Sequence, residues 1–253
     1  MTSLNRLLGT LSKVVNERVG IINTCYELPP EADAPQFFHY YASSSDTSAF
    51  SAQDNFKNNG GVAQSRRMAM AKAVGEAVER YSSALYDRND MPFVSATEAD
   101  FKCIDLEHFR FYSAEQYADP KFVFNDPTPS LPIRWTEAFS LATGKEIHVP
   151  AAAVWMPYYY VPEEGELPVM QPISTGLSCH CSYEEATLGG LLEVVERDSF
   201  SLTWQGKLSW PIIRAESLDD ENYKLLRQIE KTGYRIELVN AATELGVPVI
   251  LSV

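Results

Sequence analysis

Glu185-Ala-Thr-Leu-Gly-Gly-Leu-Leu-Glu-Val-Val-Glu-Arg-Asp198 sets three glutamates into an apolar run without proline. That composition predicts a helix over about 183–205. Ser182, three residues ahead of Glu185, reads as the start of a capping box. At about 100° per residue, Glu193 and Glu196 lie about 60° apart on one face, and Glu185 falls within about 20° of Glu196. The large apolar positions among them are Leu188, Leu191, Leu192, Val194 and Val195. Like charges on one stripe repel, and acids amid so much apolar surface risk desolvation. Something cationic should meet them.

A second segment repeats the pattern. Met68-Ala-Met-Ala-Lys-Ala-Val-Gly-Glu-Ala-Val-Glu-Arg-Tyr81 also predicts a helix, over about 64–86, with Glu76 and Glu79 sharing one face. At an offset of 117 positions Ala69 matches Ala186, Val74 matches Leu191, and Glu76, Val78 and Glu79-Arg80 match Glu193, Val195 and Glu196-Arg197. A single Glu-x-x-Glu-Arg is an ordinary solvated helix face. Two copies in matched apolar contexts read as an internal duplication that brings two acidic faces together across a pseudo-twofold axis. Carboxylates presented in this way suit Mg²⁺, a hard cation that takes oxygen ligands and shares substrate phosphates. Arg80 and Arg197, beside the acids, can hold a phosphate or pair with the glutamates. Lys72 can serve phosphate or neutralise Glu76 one turn on.

The rest of the chain sets bounds. Its 253 residues suffice for one large domain or two small ones. Apolar residues make up 45%, which supports a real core. The net charge of −13, with no concentration of Lys and Arg, argues against nucleic acid. No run approaches the roughly 18 apolar residues of a membrane span, and Met1 to Val15 lacks a signal-peptide layout. Four scattered cysteines make no disulfide framework. These features point to a cytoplasmic globular protein. Cys179-His180-Cys181 falls short of the four ligands of a zinc site and reads as structural or pocket-lining. Gly60-Gly61 reads as a loop, either a plain turn or a source of backbone N–H groups for a phosphate. His39 reads as part of a half-buried strand. Tyr158-Tyr-Tyr160 reads as a strand edge feeding a loop, with a peptide-site border as the alternative.

Further elements follow from local signals. A short helix and a strand occupy residues 1–30, and one or two strands lie within 36–56. A hairpin, 133–140 with 146–155, turns at Ala142-Thr-Gly-Lys145. A third helix spans about 219–232, stopped by Gly233, and strands follow at 234–239 and 247–253. The fold class is α+β: two loosely repeated halves, about 1–125 and 126–253, with helices packed on mainly antiparallel sheet in one composite domain.

These residues carry a resemblance. Gly60-Gly61 leading into Gly-Glu-Ala-Val-Glu-Arg-Tyr (75–81) is similar to the first acidic motif of the YcaO family, which activates peptide backbone amides with ATP. Ile173-Ser-Thr-Gly-Leu177, Glu185-Ala186, Gly190-Leu-Leu-Glu-Val-Val-Glu-Arg-Asp198 and Leu202-Thr-Trp204 are similar to its second. The segment from Leu141 through Thr143-Gly144 to His148-Val-Pro-Ala151 looks like the strand–turn–strand joining the two. The Glu-Arg-Asp and Leu-Thr-Trp variant resembles the azoline-forming cyclodehydratases of thiazole/oxazole-modified peptide biosynthesis. Lys72, where the family often has Ser, and Ser178-Cys-His-Cys181, where small residues are usual, depart from the pattern.

The resemblance implies an ATP- and Mg²⁺-dependent enzyme for ribosomally made peptides, bacteriocins among them. A Cys, Ser or Thr side chain attacks the preceding carbonyl, ATP phosphorylates the resulting oxygen, and loss of phosphate leaves an azoline. By the same resemblance Glu76, Glu79, Glu193 and Glu196 bind the metal, and Arg197 and Glu185 the nucleotide; Arg80 and Lys72 join the nucleotide set from their own places beside the acids. The implied partners are the substrate peptide, an E1-like (ThiF-like) leader-binding protein, a flavin-dependent azoline dehydrogenase and a second copy of the chain. A nucleotide-binding scaffold and a thioamide-forming enzyme are the alternatives. Family members run on beyond the apolar Val247-Pro-Val-Ile-Leu-Ser-Val253. The expectation is therefore a domain truncated at its C-terminus, with catalytic residues beyond Val253, inactive alone and self-associating through the 247–253 edge.

Overall fold

The computed structural model describes residues 3–253 except 31, 32, 52 and 110. In chain order the elements are α1 (Ser3–Val14), β1 (Ile22–Leu28), β2 (Phe38–Ser44), β3 (Asn58–Ala63), α2 (Arg66–Ser82), β4 (Phe93–Val94), α3 (Ala114–Ala118), β5 (Ile133–Phe139), β6 (Glu146–Pro150), α4 (Tyr183–Gly206), α5 (Asp220–Glu230), β7 (Leu238–Asn240) and β8 (Ile250–Ser252). Every strand pairing between these elements is antiparallel, which fits the α+β reading. The chain forms two compact units, each assembled from more than one stretch. No helix among the described residues is long and apolar enough to cross a membrane.

The first unit comprises residues 1–44, 58–79 and 175–253. Its sheet runs β1-β2-β3, so β3 is an edge strand. Helix α2 buries Ala69, Ala71, Ala73, Val74 and Ala77, and Ala73, Val74 and Ala77 join Ile22 and Ala42 in the core. Leu7, Leu11 and Val14, spaced at helical intervals along α1, pack against the same cluster. Small residues on α2 let the backbone of β3 come close. A Cβ added at Gly61 would stand 2.1 Å from the Ala69 carbonyl oxygen and 2.5 Å from the Ala73 nitrogen. Gly60 and Gly61, expected in a loop, are therefore strand residues. They pair with Tyr41 and Tyr40 of β2, and at Gly61 only a residue without a side chain fits between that ladder and the helix.

Helix α4 begins as its sequence requires, with the Ser182 hydroxyl accepting from the Glu185 N–H at 3.2 Å. Its apolar residues do not form a core, however. Only Gly190 and Ser199 are buried, while Leu188, Leu191, Leu192 and Val194 remain about half exposed. Asp219 caps α5, and Gly233 follows it at φ +91°. The last two strands are shorter than their apolar runs suggest, pairing over only three residues each.

The second unit comprises 45–57 and 80–174. Its sheet runs β4-β5-β6, and the hairpin turns at Gly144, φ +64°. Trp135 is fully buried among Leu106, Ile133 and Val169 and donates its indole N–H to the Val94 carbonyl at 2.9 Å. The tyrosines at 158–160 are not a strand edge. Tyr158 is 5% exposed and donates its hydroxyl to Glu166, itself 1% exposed. Arg88 donates to the same carboxylate and lies 5.7 Å from the Tyr158 ring centroid. Arg134 pairs with Glu164 and donates to the carbonyls of Arg88 at 3.0 Å and Met91 at 3.1 Å. Burial and the Glu166 carboxylate push the Tyr158 hydroxyl pKa up, and burial raises that of Tyr86 to about 12.

Removing one partner of a buried, hydrogen-bonded ion pair leaves the other charge without compensation. Glu166→Ala should therefore lower stability by about 3–5 kcal/mol, read as a fall in the urea midpoint. A midpoint unchanged from wild type would show that Arg88 finds adequate solvation without Glu166.

Candidate functional site

The first unit holds a cavity of about 560 Å³ beside α2. Gly60, Lys72, Gly75, Glu76 and Glu79 line one side, and Ser178, Cys179, His180 and Cys181 the other. Helical spacing accounts for the first set, since 72, 75, 76 and 79 form one stripe. The stripe is flanked by the buried alanines, so both acids are half-buried rather than fully solvated. Glu76 is held from outside its helix: the Gly60 N–H donates to its Oε2 at 2.9 Å.

The α4 acids sit in a matched local setting. The Gly176 N–H donates to Oε2 of Glu193 at 3.1 Å. Gly176 has φ +91°, which a side chain rarely adopts, and a Cβ at Gly190 would stand 2.4 Å from the Gly176 carbonyl oxygen. Arg197 reaches Oε1 of Glu193 at 3.4 Å, one turn along the helix. Glu185 meets His180 Nδ1 at 2.8 Å and accepts from the Ser182 hydroxyl at 3.2 Å. His180, itself a residue of the cavity wall, thereby meets an α4 acid.

The structure gathers Lys72, Glu76 and Glu79 around one space. Glu193, Glu196, Arg197 and Arg80 do not line that cavity, and Glu196 and Arg197 are exposed. Among the described residues no three of His, Cys, Asp or Glu are gathered tightly enough to hold a metal ion by themselves. Cys179-His180-Cys181 is pocket-lining, as its lack of further ligands suggested. What the sequence did not reveal is the part played by Gly60 and Gly176 as donors to the motif acids. At the offset of 117 Gly60 falls on Leu177 rather than on Gly176, so the repeat did not point to the pair.

Burial, then the Glu79 carboxylate, raises the Cys179 thiol above its usual range. A partly buried thiol near a carboxylate resists ionisation.

The profile described as YcaO cyclodehydratase, ATP- and Mg²⁺-binding, matches residues 60–253. An uncharacterized protein of Methanothermobacter thermautotrophicus is 29% identical over 196 residues, covering 76% of this chain and 46% of its own length. The chain thus spans about half the length of that curated relative. A heterocyclase in complex with substrate and cofactor matches with TM-score 0.80 at 21% identity, over 99% of this chain and 35% of the other. YcaO from Methanopyrus kandleri, bound with AMPPCP and Mg²⁺, matches with TM-score 0.66 at 20% identity, over 95% of this chain and 54% of the other. At these identities the structural likenesses establish the fold.

Because its pKa is raised, Cys179 should alkylate more slowly than an unperturbed thiol at neutral pH, and its rate should keep rising above the pH where an ordinary thiol, near 8.5, levels off. Glu79→Gln removes a neighbouring negative charge and should speed the neutral-pH reaction. Iodoacetamide labelling followed by peptide mass spectrometry reads both. A rate unaffected by Glu79→Gln would separate the thiol from the acid.

Proposed function

The chain belongs to the YcaO family, and from that premise we propose that it carries the paired acidic helices of an enzyme that activates peptide backbone amides with ATP and Mg²⁺. The observation carrying this reading is the cavity lined by Glu76, Glu79 and Lys72. Its volume of about 560 Å³ lies within the range of small-molecule sites. The donor set fits the group. Carboxylate oxygens suit Mg²⁺, which needs only one or two of them when phosphates and water complete its shell.

In this reading Glu76 and Glu79 offer oxygens to the metal from α2, and Glu193 and Glu196 do so from α4. Lys72 places a compact positive charge beside phosphate, and Arg80 and Glu185 contribute to the nucleotide contacts. Arg197 has a suitable starting state. Its 3.4 Å pair with Glu193 leaves the guanidinium itself exposed, and such pairs contribute little, so it can turn to a phosphate at small cost. ATP supplies the phosphoryl group that makes an amide oxygen a leaving group. The chain's residues orient the nucleotide and balance its charge, which is most of what phosphoryl transfer requires.

For the whole protein we propose cyclodehydration of Cys, Ser or Thr to azolines in a ribosomally made peptide, delivered by a leader-binding partner. The solved structure of similar fold that is described as a heterocyclase in complex with substrate and cofactor supports a ring-forming reading.

Glu79→Gln and Glu196→Gln should each weaken Mg·ATP binding by at least about tenfold, comparable with removing a close partner of a metal site. Thermal stability should hold or rise, since a like charge leaves an acidic stripe. Calorimetry and a melting scan read the two effects. In the complete protein, product mass decides the chemistry: a loss of about 18 Da per ring marks cyclodehydration, and a gain of about 16 Da marks exchange of oxygen for sulfur. Nucleotide bound without peptide-stimulated phosphate release would mark a scaffold instead. Variants that unfold, yet bind nucleotide normally when stabilised, would make these acids structural.

A further inference from the structure

Two backbone groups, neither of them on the acidic helices, make the same contact with the motif glutamates. The Gly60 N–H donates to Glu76 Oε2 at 2.9 Å across 16 residues, and the Gly176 N–H donates to Glu193 Oε2 at 3.1 Å across 17. Glu76 and Glu193 occupy matching positions of the repeated string. Resting on the nucleotide reading above, we propose that Gly60 and Gly176 are positioning residues, whose N–H groups fix the side chains of Glu76 and Glu193 in the orientation that meets Mg·nucleotide.

Three observations carry this. First, the contact recurs in two settings that share no local secondary structure, since Gly60 lies in strand β3 and Gly176 in a turn at φ +91°. A by-product of sheet pairing would not recur in a turn. Second, each donor sits where a close glycine contact brings the segment against its helix. Gly61 meets the α2 backbone at Ala69 and Ala73, and the carbonyl of Gly176 lies where a Cβ of Gly190 would stand. Ala73 and Gly190 are matching positions of the two helices, so the packing and the hydrogen bond repeat together. Third, a glutamate has several rotatable bonds, and a charge-assisted N–H bond to one oxygen removes most of that freedom. Both glycine N–H groups are therefore committed to carboxylates rather than to a phosphate. The chemistry recognised at these loops is that of a ligand acid being aimed.

Gly60 permits a clean test. A Cβ there has open space, the nearest atom being the Tyr40 carbonyl oxygen at 3.8 Å, and its φ lies outside the left-handed region. Gly60→Ala keeps the N–H. Gly60→Pro removes it, and because that N–H points to Glu76 from an edge strand, the β2–β3 ladder keeps its hydrogen bonds.

Two measurements on the full chain decide the matter. In calorimetry with Mg·AMPPCP, Gly60→Pro should bind about 10- to 100-fold more weakly than Gly60→Ala, which adds a side chain to the same cavity wall but keeps the N–H, the usual effect of losing an outer-sphere partner of a metal ligand. In amide NMR, Glu76→Ala should move the Gly60 proton upfield and raise its exchange rate about tenfold, the loss of one charge-assisted hydrogen bond, whereas Glu79→Ala should leave it in place. A folded Gly60→Pro variant that binds Mg·AMPPCP like Gly60→Ala overturns the proposal. A Gly60 amide indifferent to Glu76→Ala also overturns it, even where Gly60→Pro does not fold. A wild-type chain that does not bind Mg·AMPPCP, but whose Gly60 amide responds to Glu76→Ala, defeats the nucleotide reading and leaves the carboxylate-holding contact established.

Discussion

Strand β3 and helix α2 meet backbone to backbone, and Gly61 is the residue that allows it. Any side chain there would collide with the Ala69 carbonyl and the Ala73 nitrogen, groups that cannot move without breaking the helix. The alanine face of α2 follows from this contact, because larger residues would push the strand away. So does the placement of Gly60 one residue earlier, within hydrogen-bonding distance of Glu76. The cavity then forms beside the remaining stripe of α2, opposite Ser178 to Cys181. One steric constraint thus sets the sheet against its helix and an acid within its site.

The repeated motif is treated differently by its two surroundings. On α2 the acids border a packed core, where Ala73, Val74 and Ala77 meet Ile22 and Ala42. On α4 the equivalent acids stand among leucines and valines that stay half exposed. The local hydrogen bond survives this difference, as Gly176 still reaches Glu193. The contact between glycine and acid is therefore a property of the motif and its leading segment, not of the core beneath.

The helices were legible because their signals are local. Proline-free apolar runs, a serine N-cap at 182 and an aspartate N-cap at 219 placed α4 and α5 within one or two residues of where they lie. The α+β class, the hairpin at Gly144 and the pocket-lining place of Cys179 were readable for the same reason. Three features were not. Two adjacent glycines look like a turn, and only the tertiary approach of α2 makes them a strand. Tyr158 looks like an exposed aromatic edge, yet its hydroxyl is buried by Glu166 and Arg88, which stand 8 and 70 residues away in the chain. The exposure of α4 has no sequence signature, because hydrophobicity predicts that a side chain seeks burial and not whether a neighbour is present. Among the site residues, the acids were named from periodicity, but the glycine donors act through a backbone N–H that every residue except proline carries.

The half-bare apolar face of α4 also gives the strongly acidic composition a physical task. A surface helix ordinarily keeps molecules apart through its own polar side chains. Here leucines and valines occupy much of that surface, and the net charge of −13 over the whole chain, to which the acids of α4 themselves contribute, must do the separating. Such repulsion acts over the Debye length, about 8 Å at physiological ionic strength and about 3 Å in molar salt. Dispersion of this chain is consequently a colloidal property governed by the electrolyte, and salting-out should set in at lower ionic strength than for a protein of equal size whose helices are polar on their outer face.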